Sequence, residues 1–169
     1  MGAGKTTAGA LLAHSLRMGF FDIDAQIEAE AGMSITKIFD TFGEDHFRDL
    51  EYKMTKKIAL LRGYVIATGG GIVLNPHNTA LLSKKSIVIY LRANPETIYA
   101  RLINDDSRPL LRGGGALLAK IQALLAVREN LYIQTADIII DVDAKKVDEL
   151  VEECTLNILA GKSCQYRPI

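Results

Sequence analysis

Net charge is the first thing this sequence lacks. Its 20 Lys and Arg balance 20 Asp and Glu, and a pI near 6.8 predicts no broad attraction to nucleic acid or to a membrane surface. A charged ligand must therefore be held by locally placed residues. Cysteine is scarce too: Cys154 and Cys164 are too few for a disulfide framework and read as reduced thiols of a cytoplasmic protein. No apolar run is long enough to span a bilayer, and no secretory signal precedes the fold.

What is present is a chain of 169 residues, 49% of them apolar, enough to bury one core. A single domain is expected over residues 1–169. Apolar runs alternate with segments of helical period, the pattern of an α/β protein with a parallel sheet. Tyr64–Thr68, Ile87–Leu91 and Ala136–Asp141 read as buried strands, being short, apolar, rich in Ile and Val, and free of Gly and Pro. A shorter strand is expected to end at Phe20-Phe21-Asp22. Helices are expected at about 6–18, 25–31, 34–40, 44–62, 95–104, 116–134 and 144–160. Asn104–Gly115 carries charge, a Pro and three consecutive glycines and reads as a mobile loop; the tail from Gly161 onward is expected to fray. There is no internal repeat.

Gly2-Ala3-Gly4-Lys5-Thr6-Thr7 followed by a helix is the strongest local signal. Glycines let successive backbone N–H groups turn inward around phosphate oxygens, and the helix N-terminus adds positive potential. Lys5 would reach the β- and γ-phosphates, and the Thr6 hydroxyl would ligate Mg²⁺. The full pattern G-x-x-x-x-G-K-[ST] requires another glycine five positions before Gly4, a place that falls before Met1; the strand that feeds such a loop is likewise expected to be missing from this chain. Residues 1–6 also match an N-myristoylation pattern formally, but an acyl chain on Gly2 would destroy the phosphate loop. Gly161-Lys162-Ser163 repeats the tripeptide, yet Leu156 stands where a glycine is required and no strand precedes it.

Asp22 and Asp24 sit two apart at a strand end, so extended backbone would project both from one face. One carboxylate could hold the water shell of Mg²⁺ while the other orients, or deprotonates, an accepting hydroxyl. The competing reading is that Asp24 caps the helix beginning near Ala25 and Asp22 lies in the turn. Arg48 and Glu51 fall three apart on one helical face: either an exposed ion pair, or a fork in which Arg48 grips a substrate carboxylate through two parallel hydrogen bonds while Glu51 orients it. Gly69-Gly70-Gly71 directly follow Thr68 and a buried strand, which exposes backbone N–H groups and permits close approach of a ligand. Arg108 lies in the proposed mobile loop, where a closing segment would bring charge to a migrating phosphate and exclude water. Arg128 follows in the next helix, with Tyr132 one turn on. His14, His46 and His77, the last in a Pro-containing turn, belong to no visible triad or metal set.

Taken in order, these motifs make the chain resemble a shikimate kinase over almost its whole length. They are Gly-x-Gly-Lys-Thr at 2–6, Asp-Ile-Asp at 22–24 and Gly-Glu…Phe-Arg-x-x-Glu at 43–51. Gly-Gly-Gly at 69–71, Arg-Pro-Leu-Leu at 108–111 and Arg…Leu-Tyr at 128–132 complete the set. The resemblance implies a three-layer P-loop fold like that of nucleoside monophosphate kinases, with a parallel sheet in order 2-3-1-4-5 from which strand 1 is missing here. It implies transfer from ATP to the 3-hydroxyl of shikimate, giving shikimate 3-phosphate and ADP in aromatic amino acid biosynthesis, with Mg²⁺ as cofactor and the protein acting as a monomer. Asp24 is implied as base and substrate ligand, and Lys5 and Arg108 as further catalytic groups. Arg48, Glu51, Gly69, Gly70, Gly71 and Arg128 are implied at the substrate. Gly2, Ala3, Gly4, Lys5, Thr6, Thr7, Arg101 and Arg108 are implied at the nucleotide, with Arg101 on adenine; Thr6 and Asp22 are implied at the metal. Helices at about 25–62 would carry substrate and 104–116 would form the lid. Gly113–Gly115 suggest a looser lid than the family's, and the adenine-side loop near Asp143–Lys145 has no clear match. Two other readings stay open: a kinase of the same fold acting on gluconate or a nucleoside monophosphate, and a kinase-like binding protein without catalysis.

Overall fold

A glycine in left-handed backbone opens the first helix. Gly4, at φ 83°, is the N-cap of α1 (Lys5–Ser15), a conformation that a side chain would strain. This computed structural model describes residues 2–103 and 116–161. After α1 the chain enters β1 (Gly19–Asp22) and leaves it through a cap: the Asp22 carboxylate accepts hydrogen bonds from the backbone N–H of Asp24 and Ala25, at 3.0 and 3.2 Å, and so starts α2 (Ile23–Ala31). Ser34 caps α3 (Ile35–Ile58), whose helical path breaks at Gly43, with φ 83° and ψ 173°, as the separate stretches 34–40 and 44–62 anticipate.

Next come β2 (Tyr64–Ala67), a short 3₁₀ turn at Ile72–Leu74 and α4 (Pro76–Ser83). They are followed by β3 (Ile89–Arg92), α5 (Pro95–Leu102), α6 (Leu117–Thr135), β4 (Ile138–Asp141) and α7 (Val147–Leu159). The strands form two parallel pairs. Gly19 to Asp22 of β1 run beside Tyr64 to Ala67 of β2, and Ile89 to Arg92 of β3 beside Ile138 to Asp141 of β4.

Each pair has its own core. Ile23, Ile27, Ile38, Phe47, Met54 and Ile58 bury the β1–β2 side, and Ala8, Leu12, Ile98, Ile121, Ile140 and Leu150 the β3–β4 side. Each wholly buried Ile, such as Ile23 or Ile121, contributes about 1.5–3 kcal/mol of transfer free energy. Between the pairs lies a largely apolar cavity of about 420 Å³, walled by Val65–Ala67 on one side and Ile89–Leu91 on the other, with Ala3 and Leu12 alongside. The pairs β1-β2 and β3-β4 are two separate two-stranded sheets among the described residues. Among the described residues no helix is long and apolar enough to cross a membrane.

Three details depart from the sequence expectations. The third strand runs over 89–92 rather than 87–91, because Ile87 is exposed while Arg92 makes a two-bond ion pair with its register partner Asp141. Residues 76–83 form a helix where only a turn at His77 was expected: Asn75 accepts from His77 N–H at 2.9 Å, and Pro76 fits the first helical position. Asp22 and Asp24 do not share a strand face, since the strand-to-helix junction falls between them and Asp22 is the capping residue. Residues 104–115, including Arg108, and the tail from 162 lie outside the described residues.

Candidate active site

The β1–α2 junction, the second half of α3, the loop after β2, and α6 converge on the N-terminus of α1. They enclose a cavity of about 320 Å³. Its lining takes Gly2, Gly4, Lys5, Thr6 and Thr7 from the start of the chain, Asp22 and Asp24 from the β1–α2 junction, Arg48 and Glu51 from α3, Gly69, Gly70 and Gly71 from the loop after β2, Arg101 from α5 and Arg128 from α6. Ala3 is buried beneath the loop and faces the neighbouring apolar cavity instead. A larger open groove between α2 and α3, about 560 Å³, is lined by residues such as Lys53, Lys57 and Leu60 and holds none of the motif residues.

At the α1 end the Thr6 hydroxyl donates to Asp22 Oδ2 at 2.7 Å, while Asp22 Oδ1 caps α2. One carboxylate thus fixes the phosphate-loop threonine and the strand end together. Both groups are hard oxygen donors, the type that suits Mg²⁺, which takes only one or two protein ligands beside phosphate and water. No group of three or more His, Cys, Asp or Glu that could hold a metal ion occurs among the described residues. Arg101 Nη1 donates to the Gly2 carbonyl at 3.2 Å, joining α5 to the loop.

Opposite stands an arginine held by two carboxylates. Arg48 Nη1 donates to Glu51 at 2.9 Å, and Nη2 and Nε donate to Glu44 at 2.7 and 3.1 Å. Glu44 is half exposed, whereas the Glu51 side chain is wholly buried, so this is no surface ion pair. Burial opposes the charge of Arg48, yet Glu51 and Glu44 outweigh it and hold the guanidinium pKa above its ordinary value. For Glu51 the balance is reversed: burial pushes the carboxyl up, assisted by Asp24, and the opposing pull of Arg48 and Arg128 does not cancel it. Glu51 Oε1 is buried with no hydrogen-bond partner among the described residues.

That raised pKa has a consequence for stability. A carboxyl whose folded pKa exceeds its unfolded value of 4.5 favours the fold while protonated, and the contribution is lost as pH climbs through the folded value. Wild type should therefore lose stability relative to Glu51→Gln as pH rises above 4.5, in paired urea titrations from pH 4 to 8. Parallel curves would show that Glu51 titrates as an ordinary carboxyl.

The triple glycine is short because its neighbours are close. A Cβ on Gly69 would stand 2.7 Å from Asp24 Oδ1 and 2.9 Å from Glu51 Oε1, and one on Gly71 would fall inside the Arg48 guanidinium. Gly71→Ala should destabilise the protein by about 1–3 kcal/mol, the usual penalty for overpacking, read as a lower midpoint of thermal unfolding. An unchanged midpoint would mean that Arg48 moves away freely. Arg128, 7% exposed, sits on α6 with its charge acting on both Glu51 and the Tyr132 phenol.

The cavity thus collects every site residue named from sequence except Ala3, beneath it, and Arg108, outside the described residues. It also shows what sequence reasoning missed: Ile35, Phe39, Phe47 and Leu124 supply apolar wall. Helical spacing marks such residues only as core, and nothing in their type distinguishes a cavity wall from an interior.

The shikimate kinase family model matches residues 1–159. A shikimate kinase of Ralstonia nicotianae is 44% identical over 151 residues, covering 89% of this chain and 79% of that protein. One from Caldanaerobacter subterraneus is 43% identical over 153 residues, covering 90% and 88%. Among solved structures, shikimate kinase from Acinetobacter baumannii in complex with shikimate superposes with a TM-score of 0.92 at 34% identity, covering 96% of this chain and 90% of that one. Shikimate kinase from Aquifex aeolicus gives 0.82 at 31% identity, covering 95% and 93%.

Proposed function

The chain belongs to the shikimate kinase family, and from that premise we propose how its cavity divides the labour of the reaction. The protein is a phosphotransferase that uses ATP to phosphorylate shikimate in aromatic amino acid biosynthesis. The acceptor is the 3-hydroxyl. One observation carries the assignment: groups from five separate motifs line one cavity, among them Lys5, Asp24, Arg48, Gly70 and Arg128.

Gly2–Thr7 wrap the phosphates with backbone N–H groups, and Lys5 neutralises charge on the γ-phosphate. Arg101 flanks the nucleotide base. Thr6 and Asp22 would hold Mg²⁺, which would supply Lewis-acid neutralisation of the phosphate oxygens. Arg48 and Arg128 grip the shikimate carboxylate, with Glu51 fixing Arg48 and the backbone of Gly69–Gly71 closing around the ring. Glu44 shares the Nε–Nη2 edge of Arg48, so the substrate carboxylate competes with it for that edge. Asp24 orients the accepting hydroxyl and takes its proton as the new oxygen–phosphorus bond forms; the bond from the γ-phosphorus to its bridging oxygen breaks and ADP departs. The protein works as a cytoplasmic monomer without nucleic-acid or membrane partners, in keeping with its evenly balanced charge.

The test is ADP release by the purified protein with MgATP and a panel of acceptors: shikimate, gluconate and a nucleoside monophosphate. Release with shikimate alone is expected. Release with gluconate and none with shikimate would overturn the assignment, as would shikimate binding with no turnover.

A further inference from the structure

Tyr132 belongs to the Arg…Leu-Tyr motif, and the roles above leave it unused. It lies one helical turn beyond Arg128 on α6, where both side chains reach the same surroundings. Its hydroxyl donates to the Gly70 carbonyl at 2.5 Å, across 62 residues of sequence. Its ring stacks on Tyr90 of β3, with centroids 4.9 Å apart and planes inclined by 28°. The charge of Arg128 acts on the same phenol.

The other two carbonyls of the triple glycine are engaged locally. Gly69 O accepts from Ile72 N–H at 3.3 Å, and Gly71 O from Leu74 N–H at 3.0 Å. Gly70 O is the one taken up by another element. Because a trans peptide is planar, the Gly71 N–H must point opposite to the Gly70 carbonyl. Holding that carbonyl toward α6 therefore aims the Gly71 N–H away from α6, at a residue whose Cβ position already abuts the Arg48 guanidinium.

We propose that Tyr132 is a positioning residue for substrate binding: its phenol ties α6, the helix that carries Arg128, to the Gly70–Gly71 peptide and so fixes two parts of the carboxylate-gripping end relative to each other. The role acts on the acceptor end of the cavity through the Gly70 carbonyl. Burial keeps the phenol in its protonated, donating form by pushing its pKa above 10, against the pull of Arg128. The stack on Tyr90 fixes the ring without using the Tyr90 hydroxyl.

The inference rests on the shikimate-binding reading of the cavity, and two measurements on Tyr132→Phe separate the two ideas. This variant keeps the ring and its stack, so it should unfold at the wild-type temperature. By calorimetry its affinity for shikimate should fall about three- to tenfold, the worth of one partly buried hydrogen bond, while affinity for ADP stays within about twofold. In turnover the loss should appear in KM for shikimate more than in kcat. Independently of any ligand, amide hydrogen exchange at residues 70–72 should quicken in the variant. Tyr90→Phe, which keeps the stack, should change none of these. If wild type binds no shikimate, the functional reading fails, and the exchange rates still decide the clamp. Unaltered exchange at 70–72, equal losses for shikimate and ADP, or the same changes in Tyr90→Phe would each overturn the proposal.

Discussion

Asp24→Asn should reduce turnover by about 10²–10⁴-fold, the contribution typical of a positioned general base, while shikimate and nucleotide still bind. Asn keeps the size and one acceptor oxygen but cannot take the proton. The prediction is sharpened by the surroundings of Asp24. Its side chain is partly buried in the first turn of α2, beside buried Glu51 and against Gly69, where amide for carboxylate changes charge and little else. Asp22, two residues earlier, is committed to the Thr6 hydroxyl and to capping α2, and is not placed to replace it. Steady-state turnover beside calorimetric binding tests the point. Undiminished turnover would remove Asp24 as the base, and lost shikimate affinity with proportionate turnover would make it a binding group only.

Arg128→Ala should weaken shikimate binding by about 2–4 kcal/mol, roughly 30- to 1,000-fold, because truncating a buried charged partner leaves the other group desolvated and unpaired. The burial of Arg128 decides the size. A solvated arginine at the rim would give about 1 kcal/mol or less, and Arg128 is 7% exposed on α6. Nucleotide affinity should change little. Arg128→Lys should recover only part of the loss, since an ammonium cannot offer two parallel hydrogen bonds. A variant that binds shikimate like wild type would return Arg128 to the status of a solvated helical charge.

The two halves of this picture differ in how far the sequence foretells them. Strands β2 and β4 are legible because they are short runs rich in Val and Ile, although only Ala67 of β2 is buried and Tyr64 is exposed. β3 shifts because Ile87 is apolar yet exposed, and the register is closed by the charged pair Arg92–Asp141, which a hydrophobic pattern does not mark. α4 carried a readable start signal, Asn75 before Pro76, that a reading of Pro as turn overlooks.

In the site, residue type and spacing identified the groups, but spacing alone left the alternatives at Asp22–Asp24 and Arg48–Glu51 open. The N-cap bonds show that Asp22, not Asp24, caps α2. The burial of Glu51 settles the second against a solvent-exposed pair, because burial is made by α6 and the glycine loop, far away in sequence. Tyr132 is the clearest case of the limit. Its partner Gly70 lies 62 residues away, and nothing in either segment announces the other.

The most direct test is a crystal structure of the protein with shikimate bound. The account predicts the shikimate carboxylate within hydrogen-bond distance, about 2.7–3.2 Å, of the Arg48 and Arg128 guanidinium groups, with a ring hydroxyl against the Asp24 carboxylate. Shikimate lodged in the groove between α2 and α3, or in the cavity with its carboxylate toward Lys5 and its hydroxyls away from Asp24, would contradict it.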